Sequence, residues 1–303
     1  MISKTAGALL ACSLLQLPLF ADPVLWYVRD TVTGNYGVSL GPTDTTHSVP
    51  LSQDSGQVQT PILTTTAGGT DTETDPNGRH YLGSLSLQGS VAPGDVHGII
   101  QSAGLTTNSL NDPFEQYGAG GSASLTQFWS DTITVGGLPS GTAVDLDITD
   151  VLHSLLSGTV GGGVSASARS ILTATDGVNT ILANFSIFNS LNGPPVDNIT
   201  QTQVIHTFSG DTITLFGEFV LSDSADVAYI YPGVLSASSG ADASDTNDTF
   251  LSVITPGASF TSASGATYVS TAVPEPSSLY TVGAVILALG AYALRRAASS
   301  VSR

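Results

Sequence analysis

The chain has 303 residues, only 10% of them charged, and its 24 acidic side chains outnumber 7 basic ones for a formal charge of −17 at neutral pH. Such a surface repels nucleic acid phosphates and so excludes nucleic acid as a partner. A single cysteine, Cys12, excludes any disulfide within the chain, and a chain of this length can bury a large core without cross-links.

Residues 1–21 read as a secretory signal peptide. Lys4 supplies a positive start, Ala6 to Phe20 is an apolar run broken mainly by Ser13, Gln16 and Pro18, and Ala21 precedes the acidic Asp22. That order predicts export by the general secretion machinery and cleavage by signal peptidase after Ala21. Leu19, three places before the cut, is bulkier than the small residue usual there. Leu9-Leu10-Ala11-Cys12 also matches a lipidation box, but the apolar run continues past Cys12 to Phe20, which favours the plain signal peptide.

Residues 22–272 form the predicted extracytoplasmic domain, with 23 acidic residues against Arg29, Arg79 and Arg169. Glycine, serine and threonine abound there, and charged helix formers are scarce, which favours strands over helices. The stretch from Asp22 to about Gly94 is richer in threonine and proline and reads either as first strands or as a partly ordered arm. Strands are expected at Leu82 to Leu87, Leu125 to Val135, Asn179 to Phe188, Val227 to Tyr231 and Phe250 to Ile254.

Three runs carry the period of two that marks a half-buried strand. In Thr142 to Ile148, the apolar Val144, Leu146 and Ile148 alternate with Asp145 and Asp147. Val164 to Arg169 alternates with small inward residues. Thr212 to Leu221 sets Ile213, Leu215 and Phe219 against Thr212, Thr214 and Glu218. One short helix is predicted over Asp150 to Leu156, capped by Thr149 or Asp150. Leu191 to Pro195 reads as a loop, and Ser259 to Ala272 as a last strand and linker. Many short strands between Gly, Pro and Asn turns predict a mainly β chain, a single antiparallel β-sandwich of jelly-roll-like form.

The tail has three parts. Val273-Pro274-Glu275-Pro276-Ser277-Ser278 leads into sixteen uncharged residues, 279–294, and Arg295-Arg296 end that run. As a helix the run reaches about 24 Å at 1.5 Å per residue, against a hydrocarbon core of about 30 Å. Ser277 and Ser278 extend it at one end and arginine stems reach the interface at the other. Its whole circumference is apolar or small, unlike a core helix with its polar stripe. A transmembrane helix over 279–294 is therefore predicted, with the basic tail 295–303 in the cytoplasm and the domain outside.

This tail resembles the PEP-CTERM sorting signal of Gram-negative bacteria that export polysaccharide. The match covers Val273, Pro274, Glu275 and Pro276, the apolar helix, and the stop-transfer residues Arg295 and Arg296. A looser similarity covers about Phe128 to Tyr268, including Phe208-Ser209-Gly210-Asp211-Thr212-Ile213 and Asp245-Thr246-Asn247-Asp248-Thr249-Phe250. The resemblance implies a β-sandwich ectodomain without an assigned activity. It also implies an exosortase that recognises Pro274-Glu275-Pro276, cuts near it, and leaves the ectodomain at the cell surface or in exopolysaccharide. The two prolines suit that role, since they hold the backbone extended and readable.

Within the ectodomain, Gly37-Val38-Ser39-Leu40-Gly41 fits the pattern of a hydrolase nucleophile elbow, but Pro42, Thr43 and Asp44 point to a turn where the elbow needs a helix. His47, His80, His97, His153 and His206 are scattered without a zinc-motif spacing. Glu73, Asp75 and Asn77 before Gly78 resemble the start of a calcium loop, with Glu in place of the first Asp and Ser84 in place of the closing Glu. Asp145, Asp147 and Asp150, and then Asp242, Asp245, Asn247 and Asp248, form two further acidic clusters that read as solvated surface. Phe128, Trp129, Tyr229, Tyr231 and Tyr268 are candidates for a sugar-stacking face. Against that, Phe128 and Tyr229 suit the core. These residues predict a non-enzymatic surface or matrix protein with no cofactor beyond a structural calcium ion. A carbohydrate-binding module is the alternative, and a secreted hydrolase using Ser39 ranks behind both.

Overall fold

Alternation along the body becomes fourteen antiparallel strands in a computed structural model that describes residues 25–39, 46–74, 80–108, 117–159, 163–177, 180–192, 198–229 and 233–268. In chain order they are β1 (Tyr27–Ser39), β2 (Thr46–Asp54), β3 (Leu63–Thr74), β4 (His80–Ala92), β5 (Asp95–Asn108), β6 (Tyr117–Gly136) and β7 (Ala143–His153). β8 (Leu155–Gly158), β9 (Gly163–Asp176), β10 (Ile181–Ser190), β11 (Asn198–Phe208), β12 (Thr212–Tyr229), β13 (Gly233–Val253) and β14 (Ser259–Ser262) follow. Ala21, the sorting residues Val273 to Pro276, the span 279–294 and Arg295-Arg296 lie outside the described residues, as do Asp75, Asn77 and Tyr231. All described residues belong to the unit that ends at Tyr268. Among them no helix is long and apolar enough to cross a membrane.

Two seven-stranded sheets pack face to face. The first runs β10-β9-β12-β6-β1-β2, with β14 beside the end of β6. The second runs β11-β7-β13-β5-β4-β3, with β8 beside β13. The pairing from β5 onward is nested: β5 with β13, β6 with β12, β7 with β11 and β9 with β10. Between the sheets lie Leu125, Ile133, Leu215 and Phe219 from one side and Leu87, Ile100, Leu146 and Ile148 from the other, all nearly sealed from solvent. Burying each such side chain stabilises the fold by roughly 1.5–3 kcal/mol. Val144, Leu146 and Ile148 face inward, as do Ile213, Leu215 and Phe219.

One expectation changes, and a choice left open between first strands and an arm is decided. The helix over Asp150 to Leu156 is strand, the end of β7 and then β8. The alternation of Val144, Leu146 and Ile148 continues through Asp150 and Leu152, both buried, and β7 finds ladder partners in β11 and β13. A strand flanked on both sides satisfies every backbone donor, so local helix propensity yields. The stretch before Gly94 is built into both sheets rather than standing apart as an arm. β1 lies beside β6 along its whole length, and β3 and β4 form a hairpin on the second sheet.

The last described segment is tied down by one carboxylate. Asp131, fully buried on β6, accepts hydrogen bonds on Oδ2 from Ser262 Oγ (2.6 Å), Ser264 Oγ (2.6 Å) and Tyr268 OH (2.8 Å). Its Oδ1 accepts from the amides of Thr132 and Ser264. The Tyr268 ring lies 6.2 Å from that of Trp129. Gly94, at φ +80° in the β4–β5 turn, leaves room for it, since a Cβ there would collide with the ring.

Candidate functional site

The outward face of the first sheet carries an aromatic strip. Strand alternation settles which side chains reach it. Leu125, Ile133 and Val135 share inward phase with Trp129, so Trp129 is core and Phe128 faces out. Tyr268 is core as well. Phe128 is therefore a surface residue and not the core filler that its size suggested, while the side chain of Tyr229 lies outside the described residues.

Phe128 stands opposite Arg29 on β1 and Glu218 on β12. Its ring lies 6.1 Å from that of Phe216, and the Arg29 guanidinium carbon is 5.8 Å from its centroid. Arg29 also forks onto Asp54, Nε to Oδ1 at 2.9 Å and the second nitrogen to Oδ2 at 2.6 Å. That fork raises the Arg29 pKa and holds the Asp54 carboxyl below its usual range. One step along the face, Val220, Arg169 and the exposed Phe188 stand in register. Flat rings flanked by fixed charged hydrogen-bonding groups suit a sugar, whose C–H faces stack while its hydroxyls bond.

At the opposite end of the same face, glycines 37, 118 and 120 floor a groove of about 420 Å³ rimmed by Asn35, Ser39, Ser48 and Asp226. Ser39 of the hydrolase reading closes β1 here. Its phase is outward, whereas His47 pairs with the buried Val38 and so points to the other side of the sheet. The strand therefore does not present Ser39 and His47 on one face as a nucleophile and its base.

His47 instead reaches the second sheet, where its Nδ1 lies 3.0 Å from Glu73 Oε1. Glu73 is a strand residue paired with Tyr81, and Ser84 pairs with Thr70. Glu73 and Ser84 are thus ladder residues on two strands of a hairpin, rather than the first and last ligands of one loop. The remaining histidines disperse. His206 Nδ1 lies 2.7 Å from Asp145 Oδ1, His97 Nε2 lies 2.6 Å from Asp95 Oδ1, and His80 Nδ1 lies 2.9 Å from Thr74 Oγ1.

The acidic clusters divide by phase. Asp145 and Asp147 face outward, but Asp150 is buried and accepts a hydrogen bond from Ser170 Oγ at 2.9 Å. Burial pushes the Asp150 carboxyl up to about 6, with Ser170 opposing. Asp248 stands opposite Asp95. Burial and then the Asp95 charge push Asp248 up to about 6, while the hydrogen bond to Asp95 raises His97. Burial also raises Asp30 and Asp223, which Thr65 and Ser102 hydroxyls reach at 2.7 Å each. Sequence reasoning missed Arg29, Phe216 and Asp131. Strand phase could have found Phe216, which shares the outward phase of Glu218.

No protein-family model matches the chain, and no curated protein matches it. A solved structure described as "Structural basis for the promiscuous specificity of the carbohydrate-binding modules from the beta-sandwich super family" aligns at a TM-score of 0.15 and 9% identity, over 71% of this chain and 86% of that one. At that score the two backbones do not follow a common path, and nothing about this chain follows from the alignment.

Proposed function

We propose that this is a non-enzymatic exported protein, sorted by its tail and presented at the cell surface or in exopolysaccharide after exosortase processing. The observation that carries the reading is the order at the C-terminus: Val273-Pro274-Glu275-Pro276, a sixteen-residue apolar run, then Arg295-Arg296. The geometry of the body supports it. The compact unit ends at Tyr268, whose hydroxyl and carbonyl are both bonded into the sandwich. A cut near Pro274 to Pro276 leaves every one of those bonds intact and delivers a whole folded unit. The nested strand pairing supports the jelly-roll form of that unit. Mass spectrometry of the C-terminus of the protein isolated from its host tests the reading. A terminus near Pro276 that reverts to Arg303 when the exosortase is deleted is expected, and an intact Arg303 in the unaltered host overturns it.

A second reading, sugar binding by the ectodomain, is favoured by the strip of Arg29, Phe128 and Phe216. Retention on the host's own polysaccharide, lost in a Phe128→Ala, Phe216→Ala double variant that melts like the parent, is its expected signature. Equal retention of the double variant overturns it.

A further inference from the structure

The two sheets approach one another along one side at β2 and β3, the edge strands of the first and second sheet. Leu51 and Ala67 make one part of that seam apolar, and farther along it His47, Asp71 and Glu73 take their place. We propose that His47, Asp71 and Glu73 bind a divalent transition-metal ion of the zinc class that ties the edge of one sheet to the edge of the other.

The placement follows from strand phase. Asp71 and Glu73 stand two apart on β3, so both side chains leave the strand on one face. That face is the inward one, as the alternating burial of β3 records. His47 pairs with the buried Val38, so its imidazole projects across the seam toward them. One ligand atom from each of the three residues lies within 4.8 Å of the other two. Ligands at about 2.1 Å from a tetrahedral ion stand about 3.4 Å from one another. Small side-chain rotations close the difference.

Hydrogen bonding alone leaves the trio incomplete. The contact with Glu73 accounts for His47, but Asp71 Oδ2 is sealed from solvent and has no hydrogen-bond partner. An enclosed carboxylate oxygen without a donor is strongly unfavourable. Arginine does not supply one: among the described residues Arg29 and Arg169 both lie on the outward face of the first sheet. A bound cation supplies the missing partner and offsets the charge of two neighbouring carboxylates.

The donor set chooses the ion. Calcium takes oxygen ligands, whereas one imidazole nitrogen with two carboxylates suits zinc and its first-row neighbours. Three protein ligands leave a fourth position for water. The proposed ion differs from the calcium expected at Glu73, Asp75 and Asn77, and takes Glu73 together with Asp71 and His47 from two strands.

The test uses the exported protein as isolated, stripped with a chelator and titrated with zinc by calorimetry and thermal melting. One zinc per chain is expected, with a melting rise of roughly 5 °C once zinc exceeds its Kd about tenfold, and no rise with calcium at the same concentration. His47→Gln, Asp71→Asn and Glu73→Gln each weaken zinc binding at least about tenfold while the metal-free melting temperature stays near the parent's. Absence of zinc binding overturns the proposal. So does zinc binding that survives in the triple variant, since the ion then sits elsewhere, and so does calcium binding of equal strength.

Discussion

Asp131 and Asp150 are both carboxylates sealed inside the same sandwich, yet their surroundings differ in a way that decides what each does. Asp131 collects five donors, three hydroxyls and two amides. Asp150 has one hydroxyl, from Ser170. A buried charge is tolerated in proportion to the donors that replace its water. Asp131 is therefore a clasp that holds the end of the folded body, and Asp150 is a carboxyl whose proton is easily kept.

The largest effect expected from this contrast is at the clasp. Asp131→Ala leaves the hydroxyls of Ser262, Ser264 and Tyr268 without their shared acceptor, at a cost of about 3–5 kcal/mol. For a body of this size that lowers the melting temperature by roughly 10 °C. Denaturant unfolding of the protein checks it. A loss below about 1 kcal/mol means that the segment from Ser262 to Tyr268 is not held by Asp131.

Asp150 sharpens the contrast through pH. Its folded-state pKa, about 6, lies above the ordinary aspartate value of 3.8, so between those values the folded chain keeps a proton that the unfolded chain has lost. Its contribution to stability is complete below about pH 4 and disappears as pH rises through 6. Raising a carboxyl's pKa by this much is worth roughly 2–3 kcal/mol. Asp248, also lifted to about 6, adds to the same slope. Asp54 acts in the opposite sense, losing stability only as the pH falls toward and below the ordinary carboxylate range. Melting temperature is thus expected to rise on going from pH 7 to pH 5. Asp150→Asn is expected to raise stability at pH 7 and to flatten the slope. A parent that melts lower at pH 5 than at pH 7 contradicts this account.

Tyr268→Phe gives a graded version of the first experiment. It removes one donor from Asp131 and keeps the ring that fills the space over Gly94 and beside Trp129. Four donors remain, so a loss of about 1–2 kcal/mol is expected, well short of the alanine substitution at Asp131. Equal losses for the two variants would make the tyrosine hydroxyl, rather than the set of five donors, the element that secures the segment.

The same pair of carboxylates marks what the sequence could and could not reveal. Phase was legible: Val144, Leu146 and Ile148 carry inward alternation, and counting on by two reaches Asp150, which a surface reading of an acidic cluster overlooked. Trp129 was recoverable in the same manner from Leu125 and Ile133. The threonine-rich β2 and β3 were harder, because alternation of threonine with glycine, alanine or acid carries little apolar contrast. Partners distant in the chain were beyond reach. Ser262 meets Asp131 across 131 residues, and nothing near Asp131 announces an incoming clasp. Likewise Glu73 was legible as a ligand type, while its partner His47 arrives from the other sheet.

The smallest stability effect lies at the surface, where the contrast between well-served and poorly served carboxylates loses its force. Asp54 has a forked arginine and a backbone donor, as good a set as many buried carboxylates enjoy, but water serves it too. Arg29 and Asp54 keep 37% and 49% of their side chains exposed, and ion pairs of that kind contribute about 0–1 kcal/mol. Arg29→Ala is accordingly expected to shift melting by no more than about 3 °C. Its value is as a separator: the same substitution removes the guanidinium from over Phe128, so a sugar that uses the strip loses affinity while the fold barely changes. A variant that melts far lower than the parent instead would assign Arg29 to the integrity of the β1–β2 edge, and the aromatic strip would have to stand on Phe128 and Phe216 alone.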